Sequence, residues 1–133
     1  MGKLKDSVTN WSTNSEDREE KEVSEREVNP NEAIDYIIRH APKFAKAKAE
    51  RIYIEEYRKS LKAILMKRSL ESAIGAQERE AYAHQEYIEL LEGLRDAVEV
   101  EEKLRWDMIA AQARVEVWRS QEASNRQQDR SAL

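Results

Sequence analysis

Along the last third of the chain, apolar side chains fall on two sides of one helical wheel. Leu90, Leu94, Ala97, Leu104, Met108, Ala111, Val115 and Trp118 occupy one broad side. Trp106, Ala110, Ala113 and Val117 fall nearly opposite, with Ile109 at their edge. At 100° per residue this pattern predicts a helix from about Gln85 to about Arg126, roughly 60 Å long. Gly93 lies inside it, and one glycine costs about 1 kcal/mol against alanine without breaking so long a helix. A helix apolar on two sides is sandwiched between two partners. Glu101 falls on the core side, so it is expected to reach solvent or to pair with an arginine or lysine of the facing helix.

Upstream, Ile54, Tyr57, Leu61 and Ile64 follow 3, 4, 3 spacing, a coiled-coil-like seam within a helix expected from about Lys43 to about Ser69. A short helix precedes it, with Asn31 as N-cap and Ile34, Ile37 and Ile38 as its apolar stripe. Pro42 should stop or kink that helix and open the next. Between the long helices, "LESAIGAQ" breaks the pattern and "AQEREAYAH" reads as a short helical piece or corner. Residues 1–29 hold few apolar side chains and read as a charged, flexible tail, or as an acidic arm anchored by Trp11. Residues 127–133 are polar and expected to fray. The reading is all-α: a long antiparallel helical hairpin over 30–126, with a short N-terminal helix and a charged tail.

The hairpin can cover one side of the last helix. The other side, Trp106, Ile109, Ala110, Ala113 and Val117, packs either on the short N-terminal helix or on another chain. We expect the latter, as a dimer or higher oligomer or with a protein partner, because these residues would otherwise leave an unusual exposed apolar patch. Trp118 is expected to be covered by the hairpin itself. Register, and hence which end of the last helix is left uncovered, stays open.

Composition narrows the chemistry. Charged residues make up 38% of the 133 residues, with three glycines, two prolines and no cysteine. Helices suit that balance, and disulfides and thiolate metal sites are excluded. His40 and His84 each stand beside a helix break, without the i+3 or i+4 ligand pattern of a helical metal site, and read as surface or capping residues. There is no glycine-rich phosphate loop and no nucleophile elbow. No catalytic residue, metal, cofactor or small-molecule substrate is expected. No apolar run reaches the roughly 20 residues of a membrane span, and the first residues lack the apolar core of a signal peptide. A cytosolic chain is the simplest expectation.

Charge is divided between the long helices. Residues 39–68 carry ten basic side chains against Glu50, Glu55 and Glu56, and residues 86–122 carry ten acids against five bases. Two readings stand side by side. The flanks of the hairpin complement one another, or Lys48, Arg51, Lys59 and Lys62 form an outward stripe for nucleic-acid phosphates or an acidic protein. With Tyr57 assigned to the seam, support for base stacking is weak.

The strings "HAPKFAKAKAERIYIEEYRKSLKAILMKRS" and "AQEREAYAHQEYIELLEGLRDAVEVEEKLRWDMIAAQARVEVWRSQEASNR" resemble small tailed-bacteriophage coil-containing proteins, over roughly residues 30–126. Pieces such as "AKAKAER", "LRW" and "VEVWRS" carry the resemblance. It implies a setting among phage replication and recombination functions, in the cytoplasm of an infected bacterium, and assigns no activity to any residue. The leading expectation is a non-enzymatic, oligomeric accessory or adaptor protein of phage DNA metabolism, contacting nucleic acid through its basic helix. The alternative is a counter-defence or host-takeover protein that binds and inhibits a host protein such as a nuclease.

Overall fold

A computed structural model describes residues 28–132. The charged segment ahead of Val28, Trp11 included, lies outside the described residues. Three helices and no strand make up the rest: α1 (Pro30–Arg68), α2 (Ile74–Ala83) and α3 (Gln85–Ala132). α1 runs out and α3 returns along it, while α2 packs at the corner between them. The architecture is the all-α hairpin.

The short N-terminal helix is not separate. α1 is one helix of 39 residues, and Pro42 lies inside it. Proline removes the N–H that would bond the carbonyl of Ile38. Ile38 is 65% exposed, so this carbonyl lies on the solvent side, where water can serve it. The cap is Asn29 rather than Asn31: its side-chain oxygen accepts from the backbone N–H groups of Asn31 and Glu32 at 3.0 and 3.4 Å. Pro30 takes the first helical position, where a missing N–H does no harm.

The two long helices meet along matching heptad seams. On α3 the positions of this register are Tyr87, Leu90, Leu94, Ala97, Glu101, Leu104, Met108, Ala111, Val115, Trp118 and Glu122, all buried or half-buried. Their spacing alternates three and four without a slip, the signature of coiled-coil packing. On α1 the corresponding row is Ala33, Ile37, His40, Phe44, Ala47, Arg51, Ile54, Leu61 and Leu65. Arg58 has the remaining position and stays exposed. The α1 seam therefore runs through Leu65 and not through Tyr57 and Ile64, which flank it and are exposed.

The densest packing is at the corner. Leu61 and Leu65 of α1, Ala81 of α2 and Tyr87 of α3 form a buried cluster, with Met66 and Leu90 against it. The connection is tied by polar contacts: the Ser69 hydroxyl donates to Glu80 and accepts from the Glu71 N–H, and Gln77 donates to the Glu71 carbonyl. His84 separates α2 from α3 in extended geometry, and its Nδ1 accepts from the Glu86 N–H at 3.1 Å, so it caps α3.

At the open end, Val28, Asn29 and Ala33 lie beside Ala110, Ala111 and Arg114. α3 then runs on through Ala132, past the level of the first turn of α1 and further than the expected end near Arg126. The uncovered end is therefore the C-terminal one. Trp118 keeps the seam register but stands beyond that first turn, and it is half-buried rather than enclosed by the hairpin.

Gly93 lies within α3, with open space where a Cβ would stand. Gly93→Ala should therefore raise stability by about 0.5–1 kcal/mol through the unfolded chain's lost freedom. Urea denaturation followed by circular dichroism would show the midpoint rising; a lower midpoint would contradict an unobstructed helical site.

Candidate interaction surface

α3 turns its second apolar side outward. Trp106 is 58% exposed, Val117, Ala110 and Ala113 are exposed, and Ile109 is half-buried. Ion pairs along the helix frame the indole. Glu102 accepts from Arg105 at 2.7 Å, and the Arg105 guanidinium lies 5.0 Å from the centre of the Trp106 ring. Lys103 pairs with Asp107 at 2.9 Å. These contacts hold the carboxyls of Glu102 and Asp107 below their ordinary range, chiefly through the hydrogen bonds from Arg105 and Lys103 respectively. The result is an apolar ridge rimmed by satisfied charges, the composition that interface cores and rims show. Trp11 lies outside the described residues.

The second surface is the basic helix, and here the expected stripe changes. Arg51 turns inward. It donates to both oxygens of Glu101, at 2.5 and 2.9 Å, and to Glu55 at 3.0 Å. Glu101 is only 7% exposed, so a bidentate partner is what makes its burial tolerable. Those hydrogen bonds hold the Glu101 carboxyl below the ordinary range, against the upward push of burial. Arg51 sits in the seam because it is three residues before Ile54, on the same heptad row. Lys59 pairs with Glu56 at 3.1 Å. Lys62 is held by Glu78 of α2 and lies 4.7 Å from the centre of the Tyr82 ring. Of the four residues, only Lys48 is exposed and without an ion-pair partner among the described residues. Lys48, Arg51, Lys59 and Lys62 do not form one outward stripe.

A different flank of α1 is open. Arg39, Lys43 and Lys46 are exposed and pair with no carboxylate among the described residues. Tyr53 and Tyr57 follow on the same side, 65% and 38% exposed, with rings parallel to within 6° and centroids 6.0 Å apart. Sequence reading missed this flank by giving Tyr57 to the seam. The usable signal was the 4, 3, 7, 4 spacing of Arg39, Lys43, Lys46, Tyr53 and Tyr57, which keeps them on one side of a helix.

Among the described residues, no three of His, Asp and Glu gather in a metal-holding group. His40 stacks on Tyr36 at 3.8 Å, with Nδ1 2.9 Å from the Tyr36 carbonyl. No helix among the described residues is long and apolar enough to cross a membrane. Fold and surface thus define a class, an antiparallel α-helical hairpin with an apolar ridge and a basic-aromatic flank facing outward. No known protein family, curated protein or solved structure matches the chain.

Proposed function

We propose that the chain is a non-enzymatic helical adaptor that self-associates through the outer face of α3 and serves phage DNA replication or recombination in the cytoplasm of an infected bacterium. The observation that carries the self-association is Trp106, an indole 58% exposed in the middle of a ridge with Ile109 and Val117, on the side away from the seam. Removing that ridge from water is the driving force, and the paired charges of Glu102, Arg105, Lys103 and Asp107 supply a rim that needs no new partners. The phage setting draws its support from the resemblance over residues 30–126.

Light scattering tests the association. Wild type at about 100 μM should be a dimer or larger, with the weight-average mass rising with concentration as mass action requires. Trp106→Glu should be monomeric at the same concentration while keeping its helical circular dichroism. A wild type that stays monomeric throughout would overturn the proposal.

A further inference from the structure

We propose that the flank of α1 formed by Arg39, Lys43, Lys46, Tyr53 and Tyr57 binds single-stranded nucleic acid, with the cations on phosphates and the tyrosine pair as a platform for unpaired bases. This deepens the nucleic-acid part of the function proposed above and rests on it, but it moves the contact to residues that the expected stripe did not contain.

Three observations converge. First, these side chains share one side of α1, from Arg39 to Tyr57 over about 27 Å. That is long enough for several nucleotides, within the range of roughly 4–16 that single-strand sites cover. Second, the cations are available. Arg51, Lys59 and Lys62 are held by carboxylates, whereas Arg39, Lys43 and Lys46 have none among the described residues. Glu50 is the one acid within the stripe. Asp107, on the adjoining part of α3, is held by Lys103. Glu32 and Asp35 line the same groove as Arg39, so the positive charge is centred on Lys43 and Lys46, although the chain carries −4 overall. Third, Tyr53 and Tyr57 stand parallel and open to solvent. Nothing in the packing requires two exposed phenol rings there, since the seam passes through Ile54 and Leu61.

The ring pair selects the occupant. Bases within a duplex are stacked on one another and cannot meet the Tyr53 ring, whereas unpaired bases can. An acidic peptide would engage the cations and leave the rings unused. A single strand uses both, because phosphates and base faces alternate along it.

Fluorescence anisotropy with labelled oligothymidylate at low salt, run beside a mixed-sequence duplex and a polyglutamate peptide, tests this. The single strand should bind more tightly than either, and weaken steeply as salt rises. Lys43→Glu with Lys46→Glu should weaken it at least about tenfold and flatten the salt slope by about 1.4. Lys43→Gln with Lys46→Gln, which adds no acid to the helix, should act in the same direction. Tyr53→Ala should weaken binding about fivefold or more with the salt slope unchanged, since stacking releases no counterions. Arg126→Glu with Arg130→Glu, the same charge change at the far end of α3, should leave affinity within about twofold. No binding of the single strand, equal or tighter binding of the duplex or the polyglutamate, or an equal loss in the Arg126/Arg130 variant would overturn the proposal. Light scattering reads the other half separately: a chain that associates without binding the single strand refutes this site alone, and a monomer that binds it refutes only the association.

Discussion

Leu65→Ala should lower the unfolding free energy by about 3 kcal/mol, the loss typical of a buried leucine whose surroundings cannot close over the gap. Leu65 is buried where all three helices meet, against Leu61, Ala81 and Tyr87. Two long helices side by side have little interior, so this corner holds a large share of the apolar burial. α2 has only ten residues, too few to be stable alone in water, and its buried residue is Ala81 of that same cluster. The substitution should therefore act on α2 first. Urea denaturation at fixed chain concentration would give the free energy, and hydrogen exchange should show residues 74–83 losing protection ahead of the rest. A loss below about 1 kcal/mol, or protection that falls evenly along α1 and α3, would place the core elsewhere.

Arg51→Ala should lower the melting temperature by on the order of 10 °C, because it leaves the Glu101 carboxylate buried in the seam without its partner. Arg51→Leu together with Glu101→Leu should melt at or above wild type, since two apolar side chains of similar reach satisfy the seam without desolvating charge. A single variant within about 2 °C of wild type would mean that Glu101 reaches water readily. The pair also fixes a pH dependence. The folded pKa of Glu101 lies below its unfolded value, so the unfolded chain takes up the proton first. The contribution is complete above the unfolded value and is lost as pH falls through the folded one. Thermal melts should thus show the gap between wild type and Arg51→Ala at neutral pH and its closing in acid, below the ordinary glutamate range.

The α3 seam was readable because it is written mostly in apolar residues at unbroken heptad spacing. The outer ridge around Trp106 was readable for the same reason. Glu101 was placed on the core side with a basic partner expected, yet Arg51 was read as an outward cation, because apolar periodicity cannot see a charged seam position. Counting back three from Ile54 would have found it. On α1, Ile54, Tyr57, Leu61 and Ile64 have the same spacing as a seam, but only Ile54 and Leu61 belong to it, while Tyr57 and Ile64 lie along its edge. Apolar side chains flank both sides of Leu61, and only the packing of α2 and Tyr87 selects Leu65. Pro42 was misread as a boundary because its effect depends on which way it faces, and facing solvent it leaves a carbonyl that water can serve. The division of charge between α1 and α3 proved partly internal, joining Arg51 to Glu101 and Arg68 to Glu86.

Since the two seams advance in step, seven residues at a time, the hairpin is a ruler whose length can be changed without altering its cross-section. Removing one heptad from each arm at matching levels would shorten it by about 10 Å and leave Arg51 facing Glu101. Removing a heptad from α1 alone, between the corner and this pair, would slide Arg51 past its partner by two turns, leaving it level with Leu94 and Glu101 level with Phe44. The Arg51–Glu101 pair thus works as a graduation mark, admitting only those insertions and deletions that both arms share.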